Sequence, residues 1–204
     1  MAVAGGLAAF TPDAATRERL ERFAALLLRW NATLNLIAPA DAPVLWQRHI
    51  ADSLQLVPLL PDGVQRAIDL GSGGGFPGLV LAIATGVHFD LIESDRRKAS
   101  FLRSAVLETA APATVHACRI EQADLPQSRL VTARALAPLP RLLPLAARLL
   151  TPVGVCLFLK GARVDQELAD AAADWTMQVD RVPSQTGGDG VILRLSELRR
   201  KASA

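Results

Sequence analysis

A chain of 204 residues, 50% hydrophobic and 21% charged, can build one folded domain with a full core and a short helical extension, which excludes a disordered protein. A formal net charge of only +2 excludes a strongly basic nucleic-acid binder, and two lone cysteines, Cys118 and Cys156, without CxxC or His-rich company exclude a disulfide framework and a metal site. No apolar run is long enough to span a bilayer, and the opening MAVAGGLAAF lacks the basic flank of a signal peptide, so the expectation is a cytoplasmic protein.

Thr11-Pro12-Asp13 reads as a helix start, with a capping hydroxyl, proline at the first helical position and acid in the first turn. Leu20, Phe23, Leu27, Leu28 and Leu34 then recur at helical period. A second helix is predicted from Asp41 through Leu45, Trp46, His49, Ile50, Ser53 and Leu54, ended by Pro58, Pro61, Asp62 and Gly63. Residues 1–63 thus form an N-terminal helical cap, in which Trp30 and Trp46 lie at core spacing.

Beyond it the pattern alternates. Strands are predicted at Arg66–Leu70, Val87–Ile92, Ala113–Ala117, Leu130–Ala133, Val153–Leu159, Met177–Val182 and Val191–Leu195. Helices are predicted at Pro77–Thr85, Arg96–Thr109, Pro138–Leu150 and Val164–Ala173, and Gly187-Gly188-Asp189-Gly190 reads as a hairpin-like turn. The alternation implies an α/β fold over residues 64–204: a mostly parallel seven-stranded sheet with helices on both faces and an antiparallel C-terminal edge.

The central motif is Asp69-Leu70-Gly71-Ser72-Gly73-Gly74-Gly75-Phe76-Pro77-Gly78, a strand end, a sharp turn and a helix start. Gly73, Gly75 and Gly78 satisfy the dinucleotide fingerprint, so the glycines alone leave both a nicotinamide cofactor and S-adenosylmethionine open. Glu93, ending the second strand, suits the ribose hydroxyls of either. Asp69 and Pro77 favour S-adenosylmethionine. A carboxylate at the strand tip repels pyrophosphate and attracts an ammonium and a sulfonium, and a proline removes an N–H that phosphate would use.

With these residues in view, the chain resembles the RsmG/GidB (glucose-inhibited division protein B) family of 16S rRNA methyltransferases. The resemblance rests on Trp30-Asn31 with Asn35-Leu36, on Arg48-His49-Ile50-Ala51-Asp52-Ser53-Leu54, and on the glycine motif with its Gly75-Phe76-Pro77-Gly78 ending. Glu93, Lys98, Phe101-Leu102, Arg119-Ile120-Glu121, Ala133-Arg134-Ala135 and Lys160-Gly161 continue the series. It implies a Rossmann-like class I S-adenosylmethionine-dependent methyltransferase acting on N7 of one guanine near the decoding centre. By that resemblance Gly71, Phe76, Ile120, Glu121 and Arg134 contact the cofactor, with Ile120 and Glu121 framing the adenine and Arg134 facing the cofactor carboxylate or the incoming base. Ala133 departs from the serine usual in the family, which leaves no hydroxyl at that position.

Guanine N7 carries an in-plane lone pair at neutral pH, so the implied chemistry needs positioning and no general base. Arginines around the cofactor mouth would carry the RNA, and Arg29, Arg48, His49, Arg96, Arg97 and Lys160 are the candidates. His49 reads equally as a packed helix residue, Asp52 as a partner for Arg48 or Arg29, Glu121 as a helix-start acid and Arg134 as a surface ion-pair partner. The resemblance implies 16S rRNA as the partner, and the low net charge favours its presentation within the small ribosomal subunit or an assembly intermediate; a monomer with no membrane involved is expected. A methyltransferase of small molecules or proteins, and a non-catalytic ribosome-assembly factor, remain as alternatives.

Overall fold

The central strands are buried almost continuously, and since successive side chains point to opposite faces each strand feeds two cores. In the computed structural model, which describes residues 10–187 and 189–202, seven strands form one sheet. They are β1 (Arg66–Leu70), β2 (His88–Ile92), β3 (Ala113–His116), β4 (Ser128–Arg134), β5 (Leu150–Lys160), β6 (Trp175–Pro183) and β7 (Val191–Arg200), in the order β3-β2-β1-β4-β5-β7-β6. The first five are parallel, and β7 runs antiparallel to both β5 and β6. The antiparallel edge is as expected, with β7 inserted between β5 and its hairpin partner β6. Gly188, inside the expected hairpin turn, lies outside the described residues, as does most of the opening decapeptide.

Helices cover both faces. On one, α1 (Ala14–Leu34), α3 (Gly78–Thr85) and α4 (Arg96–Thr109) pack with Ala67, Phe89, Leu91, Leu130 and Leu157 of the sheet. On the other, α5 (Leu139–Leu149) and α6 (Val164–Ala171) cover Ile68, Leu70, Val131, Cys156 and Phe158. Helix α1 belongs to the first core through Leu20, Phe23 and Leu27, all fully buried. Phe23 meets the Phe76 ring edge-on at 5.6 Å and the Phe101 ring at 6.3 Å, so the helical segment supports the glycine loop from below. Trp30, edge-on to Phe101 at 6.0 Å, and Trp46, under the Arg17 guanidinium at 5.4 Å, are partly buried against the same core.

Two expectations for the helical segment are corrected. The cap of α1 is Asp13, whose carboxylate accepts from Thr16 N at 2.8 Å, and not Thr11; the helix starts at Ala14, so Pro12 lies before the cap and Asp13 is the residue within reach of the free first-turn N–H groups. The predicted second helix is a broken run: a 3₁₀ segment (Pro39–Val44), a π-helical turn (Trp46–Ala51), α2 (Asp52–Leu54) and a 3₁₀ turn (Val57–Leu59). Pro43 inside the first piece has no N–H for an α-helical ladder, and the wider turn that follows brings His49 and Ile50 both inward.

Truncating Phe23 removes a fully buried ring packed against two others. The Phe23→Ala protein is expected to lose about 3–5 kcal/mol of unfolding free energy, measurable by urea titration; a loss below about 1 kcal/mol would separate α1 from the core.

Candidate functional site

In an open α/β sheet the strand order reverses at one point, and helices leaving in opposite directions open a crevice there. Here the reversal falls between β1 and β4. A cleft of about 920 Å³ lies over their C-terminal ends and that of β2. Gly71, Ser72, Gly73, Gly74 and Phe76 form its floor, Glu93 and Lys98 one side, Ile120 and Glu121 another, and Arg134 through Leu136 the third. Leu36, Ile37, Pro144 and Leu145 supply apolar wall.

The glycine loop is held by its own main chain. Ser72 N donates to Ile92 O at 3.0 Å, and Gly75 N to Ser72 O at 2.7 Å. Glu93 clamps it from β2: one carboxylate oxygen accepts from Gly73 N and the other from Asp95 N, each at 2.8 Å. At Gly71 the chain adopts φ +65°, which glycine takes without strain, and the Leu136 side chain packs against its bare Cα.

Two of the expected cofactor residues are not on the cleft wall. Asp69 is fully buried beneath the loop, on the α3 face of the sheet, and its Oδ1 accepts from Thr132 Oγ1 at 2.6 Å. Gly78 lies directly against this carboxyl, since a Cβ at Gly78 would be 2.5 Å from Asp69 Cβ. Burial pushes Asp69 up to about 6, the Ser72 and Thr132 hydroxyls and the Gly78 amide opposing it. Strand alternation sends the Asp69 side chain under the loop, and so it cannot meet a ligand's cation directly. Gly75 likewise turns inward, and a Cβ there would press on Phe23 and Leu79.

Arg134 reaches the cleft from the tip of β4 with its side chain 19% exposed. Its Nη2 donates to His49 Nδ1 at 2.7 Å and to Arg48 O at 3.2 Å, and its Nη1 lies 3.5 Å from Asp52 Oδ2. The guanidinium centre stands 5.6 Å from the Phe76 ring. Burial draws this arginine below its ordinary value, with Asp52 and Asp41 opposing. Asp52 therefore partners Arg134, and not Arg48 or Arg29. Its other oxygen accepts from Gln55 Nε2 and Thr186 Oγ1. Glu121 lies in the middle of a short 3₁₀ turn (Ile120–Gln122), its side chain is 54% exposed, and it pairs loosely with Arg119 at 3.7 Å. Ile120 O, tied to Arg148 Nη2, holds that turn against α5.

Among the RNA candidates, Arg29, Arg48, Arg96 and Arg97 are exposed, Arg97 bonding Thr33 O at 3.0 Å and Arg48 standing 3.8 Å from Asp41. Lys160 is a correction: its side chain is 9% exposed, with Nζ at 2.6 Å from Glu167 and 2.8 Å from Ala137 O, so the ammonium is already paired. His49 is buried inside. Lys98 and Arg119, quoted for the resemblance but given no role, and Arg141, not singled out, also line the cleft. Each sits within a few residues of a recognised one, which was the available signal.

Asp69 gives this arrangement a pH signature. Its folded value of about 6 lies above the unfolded 3.8, so its stabilising contribution is complete below the unfolded value and is lost as pH rises through about 6. Relative to Asp69→Asn, which cannot titrate, the native protein is expected to lose about 1 kcal/mol between about pH 5 and about pH 8 in urea unfolding. A pH-independent difference would mean that the carboxyl is hydrated.

The rRNA small subunit methyltransferase G (GidB) family model matches residues 16–190. Ribosomal RNA small subunit methyltransferase G of Acidiphilium cryptum is 55% identical over 217 residues, covering 99% of this chain and all of the relative. Its counterpart from Gluconobacter oxydans is 55% identical over 185 residues, 91% of this chain and 95% of that protein. Among solved structures, the O-methyltransferase TomG of Streptomyces achromogenes, crystallised with S-adenosylmethionine, is similar with a TM-score of 0.55 at 18% identity, covering 91% of each chain; that likeness speaks to the fold alone. The sheet order and the cleft at its switch point are those of a class I methyltransferase fold, and the chain belongs to the rRNA small subunit methyltransferase G family.

Proposed function

We propose that this chain transfers the methyl group of S-adenosylmethionine to N7 of a guanine in 16S rRNA, within the small ribosomal subunit or a particle on the way to it. The observation that carries this reading is the convergence of Gly71, Gly73, Phe76, Glu93, Ile120, Glu121 and Arg134 on one cleft in a chain of this family. The protein acts as a cytoplasmic monomer, its helical segment and sheet forming one unit.

The cleft suits a nucleoside with a charged amino-acid tail. Its volume of about 920 Å³ is within the range of cofactor sites, and its floor is bare main chain. Glu93 keeps lone pairs toward the cleft after serving Gly73 and Asp95, and is the acceptor for ribose hydroxyls. Pro77 caps α3 without an N–H, so this helix start offers a phosphate little. This ground for choosing the methyl donor stands, whereas the direct pull of Asp69 on a cation does not. Ile120 and Glu121 would flank the adenine, and Arg134 would take the methionine carboxylate or steer the base.

S-adenosylmethionine supplies an electrophilic methyl on a sulfonium, and guanine N7 meets it with an in-plane lone pair, so no proton has to leave first. The residues of this chain then have to align the two reactants and exclude water, which is catalysis by orientation. The exposed arginines Arg29, Arg48, Arg96 and Arg97, with Lys98, Arg119 and Arg141 on the cleft lining, would hold phosphates while the base is turned into reach.

The test is methyl transfer from labelled S-adenosylmethionine to unmodified small subunits, followed by nucleoside analysis. Label in 7-methylguanosine is expected. Label in another product would favour a different acceptor, and binding without transfer would favour an assembly factor. Glu93→Gln replaces an acceptor oxygen by an amide donor facing main-chain N–H groups, and is expected to weaken S-adenosylhomocysteine binding by about tenfold or more in calorimetry. Unchanged affinity would remove Glu93 from the ribose site.

A further inference from the structure

Behind the cleft lies a second cavity of about 640 Å³, and the segment from Arg134 to Ala137 is the wall between the two. Among the described residues Arg134 is therefore the one cation that lines both cavities, and how it is aimed matters to both. What aims it is a histidine. A guanidinium has only N–H groups to offer, so the 2.7 Å contact requires His49 Nδ1 to carry a lone pair. The ring proton then sits on Nε2, which donates to Asp41 Oδ2 at 2.9 Å. His49 is thus read as the neutral Nε2–H tautomer, orienting Arg134 by accepting from it.

We propose that His49 is a positioning residue for methyl transfer: held by Asp41 and packed on Phe76, it aims Arg134 into the wall between the cavities, and it does so only while its ring is neutral. This rests on the function proposed above and deepens it. Adding a proton to Nδ1 would set two donors and two cations face to face at 2.7 Å, and Arg134 would have to leave. The remaining charged groups facing the ring are few: Asp41 from the 3₁₀ segment and Asp52 from α2, both favouring protonation. Arg48, on the same turn, is drawn to Asp41 at 3.8 Å, and the glycine loop contributes only the Phe76 ring at 4.9 Å. Burial and the Arg134 charge outweigh the carboxylates and hold His49 below the usual histidine value. The Nη1 of Arg134 is buried and makes no hydrogen bond among the described residues, its nearest charge being Asp52 at 3.5 Å.

Two measurements test this. Nitrogen-15 spectra of the native protein report the tautomer directly, and an unprotonated Nδ1 with a protonated Nε2 is expected; a proton on Nδ1 at neutral pH overturns the proposal. The His49 titration is expected to lie below that of a free histidine and to move up in Arg134→Met, and an unmoved titration also overturns it. In methyl transfer, kcat/KM of the native enzyme is expected to fall about tenfold per pH unit below that titration. His49→Asn, which keeps an acceptor toward Arg134 but cannot titrate, is expected to lose this acid limb, and His49→Ala to be impaired at every pH. A His49→Asn profile with the native acid limb would refute the positioning role. Should the native protein transfer no methyl at any pH, the function reading fails while the spectra still decide the histidine's state.

Discussion

The site is organised around a carboxyl that never touches the cleft. Asp69 lies beneath the glycine loop, bonded to Thr132 across the β1–β4 junction and covered by the bare Cα of Gly78. That junction is where the strand order reverses, and so the contact joins the two halves of the fold at the point where the crevice opens. Burial of an acid is costly unless its oxygens are served; here Thr132 serves Oδ1, while Oδ2 lies against Gly78 with no hydrogen-bond partner among the described residues. Gly78 permits the approach of helix to strand, and the loop between them has little freedom left.

From this platform the charges divide into two layers. Below the loop sits Asp69; at its level Glu93 grips the Gly73 and Asp95 amides and turns its remaining lone pairs outward. Arg134 closes the other side, suspended between His49, Arg48 O and Asp52 and laid against Phe76. Phe76 in turn rests on Phe23 of α1. Thus the helical segment is mechanically part of the site: one of its aromatic rings supports the floor, and three of its polar residues, Asp41, His49 and Asp52, determine where an arginine of the sheet points. Asp52 extends the same network to Thr186 beside the second cavity.

Much of this was legible beforehand because it depends on local chemistry. Gly71 has to be glycine wherever a strand tip turns sharply into a loop, and Glu93 follows from ending the strand beside it. The family resemblance added Ile120, Glu121, Phe76 and Arg134, which local pattern would not single out, and all four lie on the cleft. Lys160 and Asp52 were misjudged for one shared reason. In sequence Lys160 reads as free for RNA and Asp52 as a partner of Arg48 or Arg29, whereas Glu167 and Arg134 are brought to them only by the crossing of β5 with α6 and of the helical segment with β4.

Taken by itself, the sequence determined the alternation of strands and helices, the position of the glycine turn, and the family, because periodicity and motif spacing are properties of the chain read along its length. Tertiary structure alone decided that Asp69 and Gly75 face the core while Glu93 faces the cleft, and that the segment after Asp41 breaks into turns of different pitch. It alone decided that Arg134 is met by an imidazole. Which side of a backbone is inside, and which charge finds which partner, are set by packing between segments far apart in the chain, where no local preference operates.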